Sequence, residues 1–129
     1  MARITQIAQH ASDLDRARAF YGDLLGQEAA AVFDPPGLVF FVLDGVRLLL
    51  DRGAPSALIY LQVPDVHTEM ARLKGAGVEI VAEPQMIFHH DDGELGPSGS
   101  DEWMAFVKDS EGNTVGLVSH LPAEPLVHS

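Results

Sequence analysis

The chain contains no cysteine, which excludes disulfides and thiolate-bound metals. It is also poor in base: eight Lys and Arg stand against nineteen Asp and Glu, a formal net charge of -11. Nucleic-acid binders draw most of their affinity from Lys and Arg placed on phosphates. No nucleic-acid partner is therefore expected, and no anionic membrane surface. No apolar run approaches the roughly eighteen residues of a membrane span. Met1-Ala2-Arg3-Ile4 does not open a charged leader followed by an apolar stretch, so a cytoplasmic protein is expected. The acidity itself reads as solubility. Tryptophan is nearly absent too, with Trp103 alone. What is present is 129 residues with 47% hydrophobic content, enough for one globular domain with a core.

Hydrophobic spacing divides that domain into two similar halves. Residues 3–10 read as a strand. A helix follows, with Ser12 as its N-cap, Asp13 and Asp15 in its first turn, and Leu14, Ala17, Tyr21, Leu24 and Leu25 as one buried stripe. Gly26 closes it in the left-handed conformation. Strands are expected at about 28–34, 38–43 and 46–51, separated by Pro35-Pro36-Gly37 and Asp44-Gly45. The order then recurs: a strand at 57–63, a helix capped by Asp65 with Val66, Met70 and Leu73 inward, and strands at about 78–88, 103–108 and 113–119. The pattern predicts an α+β fold of two βαβββ modules forming a cup-shaped mixed sheet. The domain spans 1–122, with modules of about 1–53 and 56–122, and 123–129 is a tail that carries His128. Residues 89–102 hold five acids, three glycines and a proline, and read as a polar flap.

Two segments carry a family resemblance. Ser12-Asp13-Leu14-Asp15-Arg16-Ala17-Arg18-Ala19-Phe20-Tyr21, followed by Leu24-Leu25-Gly26, resembles the first helix of the glyoxalase, bleomycin-resistance and extradiol-dioxygenase (vicinal oxygen chelate) superfamily. Met104 to Asn113 resembles that superfamily's last hairpin. The fold hosts isomerases, epimerases, dioxygenases, thiol transferases and antibiotic-binding proteins, so the resemblance implies a fold and leaves the activity open.

In metal-using members, side chains from the first and last strands of each half enter the cup. Counted from the matched motifs, those positions fall on Gln6, Leu48, Leu58 and Gly116. Only Gln6 has a donor, whereas a catalytic divalent ion usually takes about three His, Asp or Glu ligands. The resemblance therefore implies no metal at the inherited positions and no cofactor. Strand alternation places Gln6, Ala8 and His10 on one wall, Leu58, Tyr60 and Gln62 on a second, Val46, Leu48 and Leu50 on a third, and Thr114, Gly116 and Val118 on a fourth. Such a lining, apolar with a few polar handles, suits an organic ligand. A collapsed, core-filled cup is the alternative, and Gly116 speaks against it by leaving room for a close neighbour or ligand. Trp103 either stacks on a planar ligand or packs half-buried.

The expected function is metal-independent binding of an apolar or aromatic small molecule, of the antibiotic-sequestering kind, with Gln6, His10, Leu48, Leu58, Tyr60, Gln62, Trp103, Thr114 and Gly116 at the site. Family precedent implies a homodimer. The competing reading is a glyoxalase-type lyase, isomerase or dioxygenase with a divalent metal, which requires either a misplaced ligand count or a relocated site of His89, His90 and nearby acids. A regulatory domain without turnover is the third.

Overall fold

The computed structural model describes residues 1–123. Residues 124–129, which include His128 and nearly all of the expected tail, lie outside them. The elements run β1 (Gln6–His10), α1 (Leu14–Leu25), β2 (Ala31–Phe33), β3 (Leu38–Leu43), β4 (Val46–Asp51), β5 (Ile59–Gln62), α2 (Val66–Gly75), β6 (Ile80–His89), β7 (Ser100–Lys108) and β8 (Thr114–Pro122). They form two four-stranded sheets with strand orders β1-β4-β3-β2 and β5-β8-β7-β6. The same order appears twice, with the first strand of each half parallel to the last and the rest antiparallel. This is the duplicated βαβββ arrangement, an α+β fold.

The described residues divide into two compact units, Met1–Leu58 with Asp109–Asn113, and Ile59–Lys108 with the residues from Thr114 on. The unexpected assignment is the turn 109–113. It belongs with the first unit because its side chains are bonded there.

In the first unit, α1 begins at Asp13, whose carboxylate accepts from the Arg16 amide. Ser12 is not the cap: its hydroxyl donates to Glu111 instead. Gly26 ends the helix at φ 67, in the left-handed region that glycine enters without penalty. The helix buries Leu14, Ala17 and Tyr21 against β3 and β4. Residues paired across a ladder share a face, so Ile7, Gln9, Val39, Phe41, Leu48 and Leu50 form the side turned toward the helix. Gln9, Phe41 and Leu50 are fully buried.

A polar network ties α1 to the turn. Tyr21 donates to Asp109 Oδ2 at 2.6 Å, and Gln9 Nε2 donates to the Tyr21 oxygen. Asp109 Oδ1 accepts from the Glu111 and Asn113 amides, while its Oδ2 also accepts from Asn113 Nδ2. Asn113 Nδ2 donates in addition to the His10 carbonyl, and its Oδ1 accepts from the Ser56 hydroxyl. Burial and the bond to Asp109 both push the Tyr21 phenol well above its ordinary pKa.

Glu111 completes the junction. It accepts from Arg16 Nε at 2.7 Å, the Asp13 amide at 2.8 Å, and the Ser12 and Ser110 hydroxyls. The Arg16 guanidinium is the main reason its pKa falls to about 2, outweighing the opposing effect of burial. A depressed carboxylate pKa means stability that is present above the unfolded value near 4.5 and lost as pH falls toward about 2. Glu111→Gln should lower the melting temperature at neutral pH by roughly 3–6 °C. The difference from the parent should shrink as pH drops through that window. Equal differences at pH 7 and pH 2.5, by circular dichroism, would reject the assignment.

In the second unit, α2 starts at Asp65, which accepts from the His67 amide and ring, and buries Val66, Met70 and Leu73 against β6, β7 and β8. The sheet face beneath it is Ile59, Val107, Ala105, Val115, Leu117 and Ser119, all buried. Ser119 Oγ accepts from the Val66 amide, satisfying one of the helix's free N-terminal donors.

Candidate functional site

The opposite face of the second sheet carries the chemistry. The ladder registers arrange it in rows. Lys108 pairs with Thr114. Ala82, Phe106, Gly116 and Tyr60 form the next row, then Gln85, Met104, Val118 and Gln62, then Phe88, Glu102 and His120. The centre of this face is apolar and aromatic, and both ends are polar.

Tyr60, Gln62, Thr114 and Gly116 are thus brought together as the sequence predicts. The room at Gly116 is taken by a neighbour within the sheet: an added Cβ would lie 2.7 Å from Tyr60 Cδ2 and 3.1 Å from Phe106 Cε1. The missing side chain lets the Tyr60 ring approach β8 closely and meet Phe106 edge-on at 5.9 Å. Tyr60 stays 51% exposed, so the aromatic pair offers a surface. Lys108 Nζ donates to Thr114 Oγ1, fixing the polar edge of that surface.

Trp103 is not on this face. It pairs with Ser119 and Met86 on the α2 side, and its ring meets His67 at 4.7 Å. The half-buried packing role applies to it, because strand alternation turns it away from Glu102 and Met104.

In the first unit, Leu48 is likewise misplaced by the count from Gly45. Gln6 pairs with Arg47, Ala8 with Leu49, and His10 with Asp51. The face of Gln6 and His10 therefore contains Arg47 and Leu49, while Leu48 and Leu50 point to the helix and are 3% and 0% exposed. In a parallel pair a slip of one residue inverts the side, and a run of three leucines hides the slip. Leu58 lies just before β5 and is 52% exposed.

At the other end of the second sheet's open face is a group that sequence counting missed. Glu102 Oε1 accepts from His90 Nε2 at 2.8 Å and His120 Nε2 at 3.0 Å. His90 is 3% exposed and Glu102 8%. The expected strand limits left Glu102 and His120 outside β7 and β8, which in fact begin at Ser100 and run to Pro122. Alternation through Glu102-x-Met104-x-Phe106 was the available signal. His89 is separated from this group: it ends β6, pairs with Asp101 and holds Asp101 Oδ1 at 2.8 Å. The flap shrinks to 90–99, and it is bonded in place, with His90 and Gly99 exchanging amide and carbonyl contacts with Ser100 and His90.

A shallow depression along α1 is lined by Asp15, Arg18, Gly22, Gln27 and Glu28.

A model of the Glyoxalase/Bleomycin resistance protein/Dioxygenase superfamily matches residues 3–117. The chain belongs to this superfamily. Among solved structures, lactoylglutathione lyase from Agrobacterium tumefaciens is 24% identical, with 92% of this chain and 94% of that one covered at TM-score 0.63. A superfamily member from Sphaerobacter thermophilus is 22% identical, covering 92% and 98% at TM-score 0.68. A virulence protein from Salmonella typhimurium is 17% identical, covering 94% and 98% at TM-score 0.68. No curated protein sequence matches. At these identities the likeness is one of fold. No helix among the described residues is long and apolar enough to cross a membrane.

The strand positions that hold metal in some superfamily members do not fit an ion in this chain. With the register corrected they read Gln6, Leu49, Leu58 and Gly116, which supply one neutral amide, two hydrocarbons and no side chain. Both leucine readings of the β4 position, 48 and 49, give the same chemistry.

Proposed function

We propose that this superfamily member binds an apolar or aromatic small molecule on the open face of its second sheet, in the manner of a sequestering protein, without an ion at the inherited strand positions. The observation that carries this reading is the half-exposed Tyr60 ring held over Gly116 against Phe106, with Gln62 and Thr114 as polar handles beside it. Two aromatic rings with flanking hydrogen-bonding groups recognise a flat ligand by stacking and orient it by its polar substituents. The net charge of -11 favours a cationic ligand over an anionic one. We further propose a homodimer, to be checked by sedimentation.

Bleomycin and anilinonaphthalene sulfonate serve as cationic and anionic aromatic probes. A probe at a hundredfold excess over its Kd stabilises the native state by about 2.7 kcal/mol, a rise of roughly 10 °C in Tm for a chain of this size. Tyr60→Ala should weaken binding about tenfold or more while leaving the unliganded Tm within a few degrees. A folded protein that no apolar or aromatic probe stabilises would sink the reading.

A further inference from the structure

We propose that His90, Glu102 and His120 form a binding site for a divalent transition-metal ion, with zinc as the reference ion. The three residues come from the β6–β7 loop, β7 and β8, and none occupies an inherited strand position. One donor atom from each lies within 4.8 Å of the others. Both imidazoles turn Nε2 toward the same carboxylate oxygen, so the donors converge on one point. Two imidazoles and a carboxylate suit zinc, cobalt, nickel or ferrous iron, and they suit calcium or magnesium poorly, since those prefer all-oxygen shells.

One further observation separates this group from an ordinary hydrogen-bonded cluster, the close approach of Gly96. A Cβ there would lie 2.8 Å from two ring atoms of His90 and 3.0 Å from His120 Nε2. The loop backbone is thus laid directly against the two donor rings, and only glycine permits that approach.

Three protein ligands are one fewer than a closed structural zinc site, so a bound ion keeps a position for water. The triad shares its sheet face with Met104 and Val118 in the neighbouring row, about 7 Å away along the strands. An ion there lies within reach of a molecule resting on the apolar rows. The proposal stands apart from the small-molecule reading, because it is tested with metal alone.

Untagged full-length protein, stripped with chelator, is titrated with zinc chloride by calorimetry, and its metal content is read by elemental analysis after dialysis. One equivalent per chain with a submicromolar Kd is expected. Glu102→Gln, which keeps shape and neutral hydrogen bonding, should weaken zinc at least a hundredfold, and His120→Ala similarly. His89→Ala should leave it unchanged. Circular dichroism checks that each variant is folded, and Glu102→Gln covers the case in which His120→Ala does not fold. Failure of the folded parent to bind zinc overturns the proposal. So does zinc bound equally by parent and Glu102→Gln, or zinc lost in His89→Ala, since either places the ion elsewhere.

Discussion

Replacing Asp109 by alanine should cost about 3–5 kcal/mol, a large part of the roughly 5–15 kcal/mol that holds a domain of this size folded. The carboxylate is 6% exposed and accepts four bonds, from the Tyr21 hydroxyl, the Glu111 and Asn113 amides and Asn113 Nδ2. Alanine leaves the buried Asn113 amide and Tyr21 phenol, and the part-buried Glu111 amide, without this acceptor. Asp109→Asn should fall between parent and alanine. Its carbonyl oxygen can still take the two backbone amides, but its Nδ2 then faces Asn113 Nδ2, donor against donor. Tyr21→Phe removes one donor and leaves the carboxylate three others, so it should cost about 1–2 kcal/mol. Guanidinium unfolding of the four proteins measures this order. An Asp109→Ala protein as stable as Tyr21→Phe would mean that the network is not formed.

The second large effect concerns the two leucines that sequence counting placed together. Leu48→Glu should leave the chain unfolded or insoluble. The residue is 3% exposed on the α1 side of the first sheet, and the change both removes a packed leucine and places a carboxylate there without a partner. The two losses together exceed about 5 kcal/mol. Leu58→Glu, at a site 52% exposed, should stay within about 1 kcal/mol of the parent. Soluble yield and the denaturant midpoint distinguish the outcomes. A well-folded Leu48→Glu protein would show that the β1–β4 register is shifted by one residue.

The same contrast shows how much of the fold was legible in advance. The helices were readable because caps and periodicity act locally: Asp65 and Gly26 do their work within one turn of chain. The repeat was readable because each half must cover one sheet face with one helix, which writes the same hydrophobic pattern twice. Ser12 and Asp13 were harder to separate, since both residue types cap helices, and the choice is settled by Glu111, ninety-eight positions from Asp13, which claims the Ser12 hydroxyl.

The two motifs that carried the family resemblance acquire a physical meaning here. Ser12, Asp13, Arg16 and Tyr21 on one side, and Asp109, Ser110, Glu111 and Asn113 on the other, are the members of one bonded junction in the first unit. They fix how α1 meets the 109–113 turn within the first unit. That is why the resemblance was strong for architecture and silent on activity.

By itself the sequence determined the α+β duplication, the cap at Asp65 and the helix end at Gly26, the poverty of ligands at the inherited positions and the company of Tyr60, Gln62, Thr114 and Gly116 on one face. All of these follow from short-range spacing or from residue chemistry. Only the tertiary structure decided which of Leu48 and Leu49 faces the helix, because a parallel pair is aligned by a partner strand some forty residues away and a leucine run has no polarity to mark the side. It also decided that Trp103 belongs with His67, and that Gly116 makes room for Tyr60. The meeting of His90, Glu102 and His120 was likewise beyond spacing: twelve and eighteen residues separate the partners, and only the β6–β7–β8 ladder and the close approach of Gly96 bring three donors to one point.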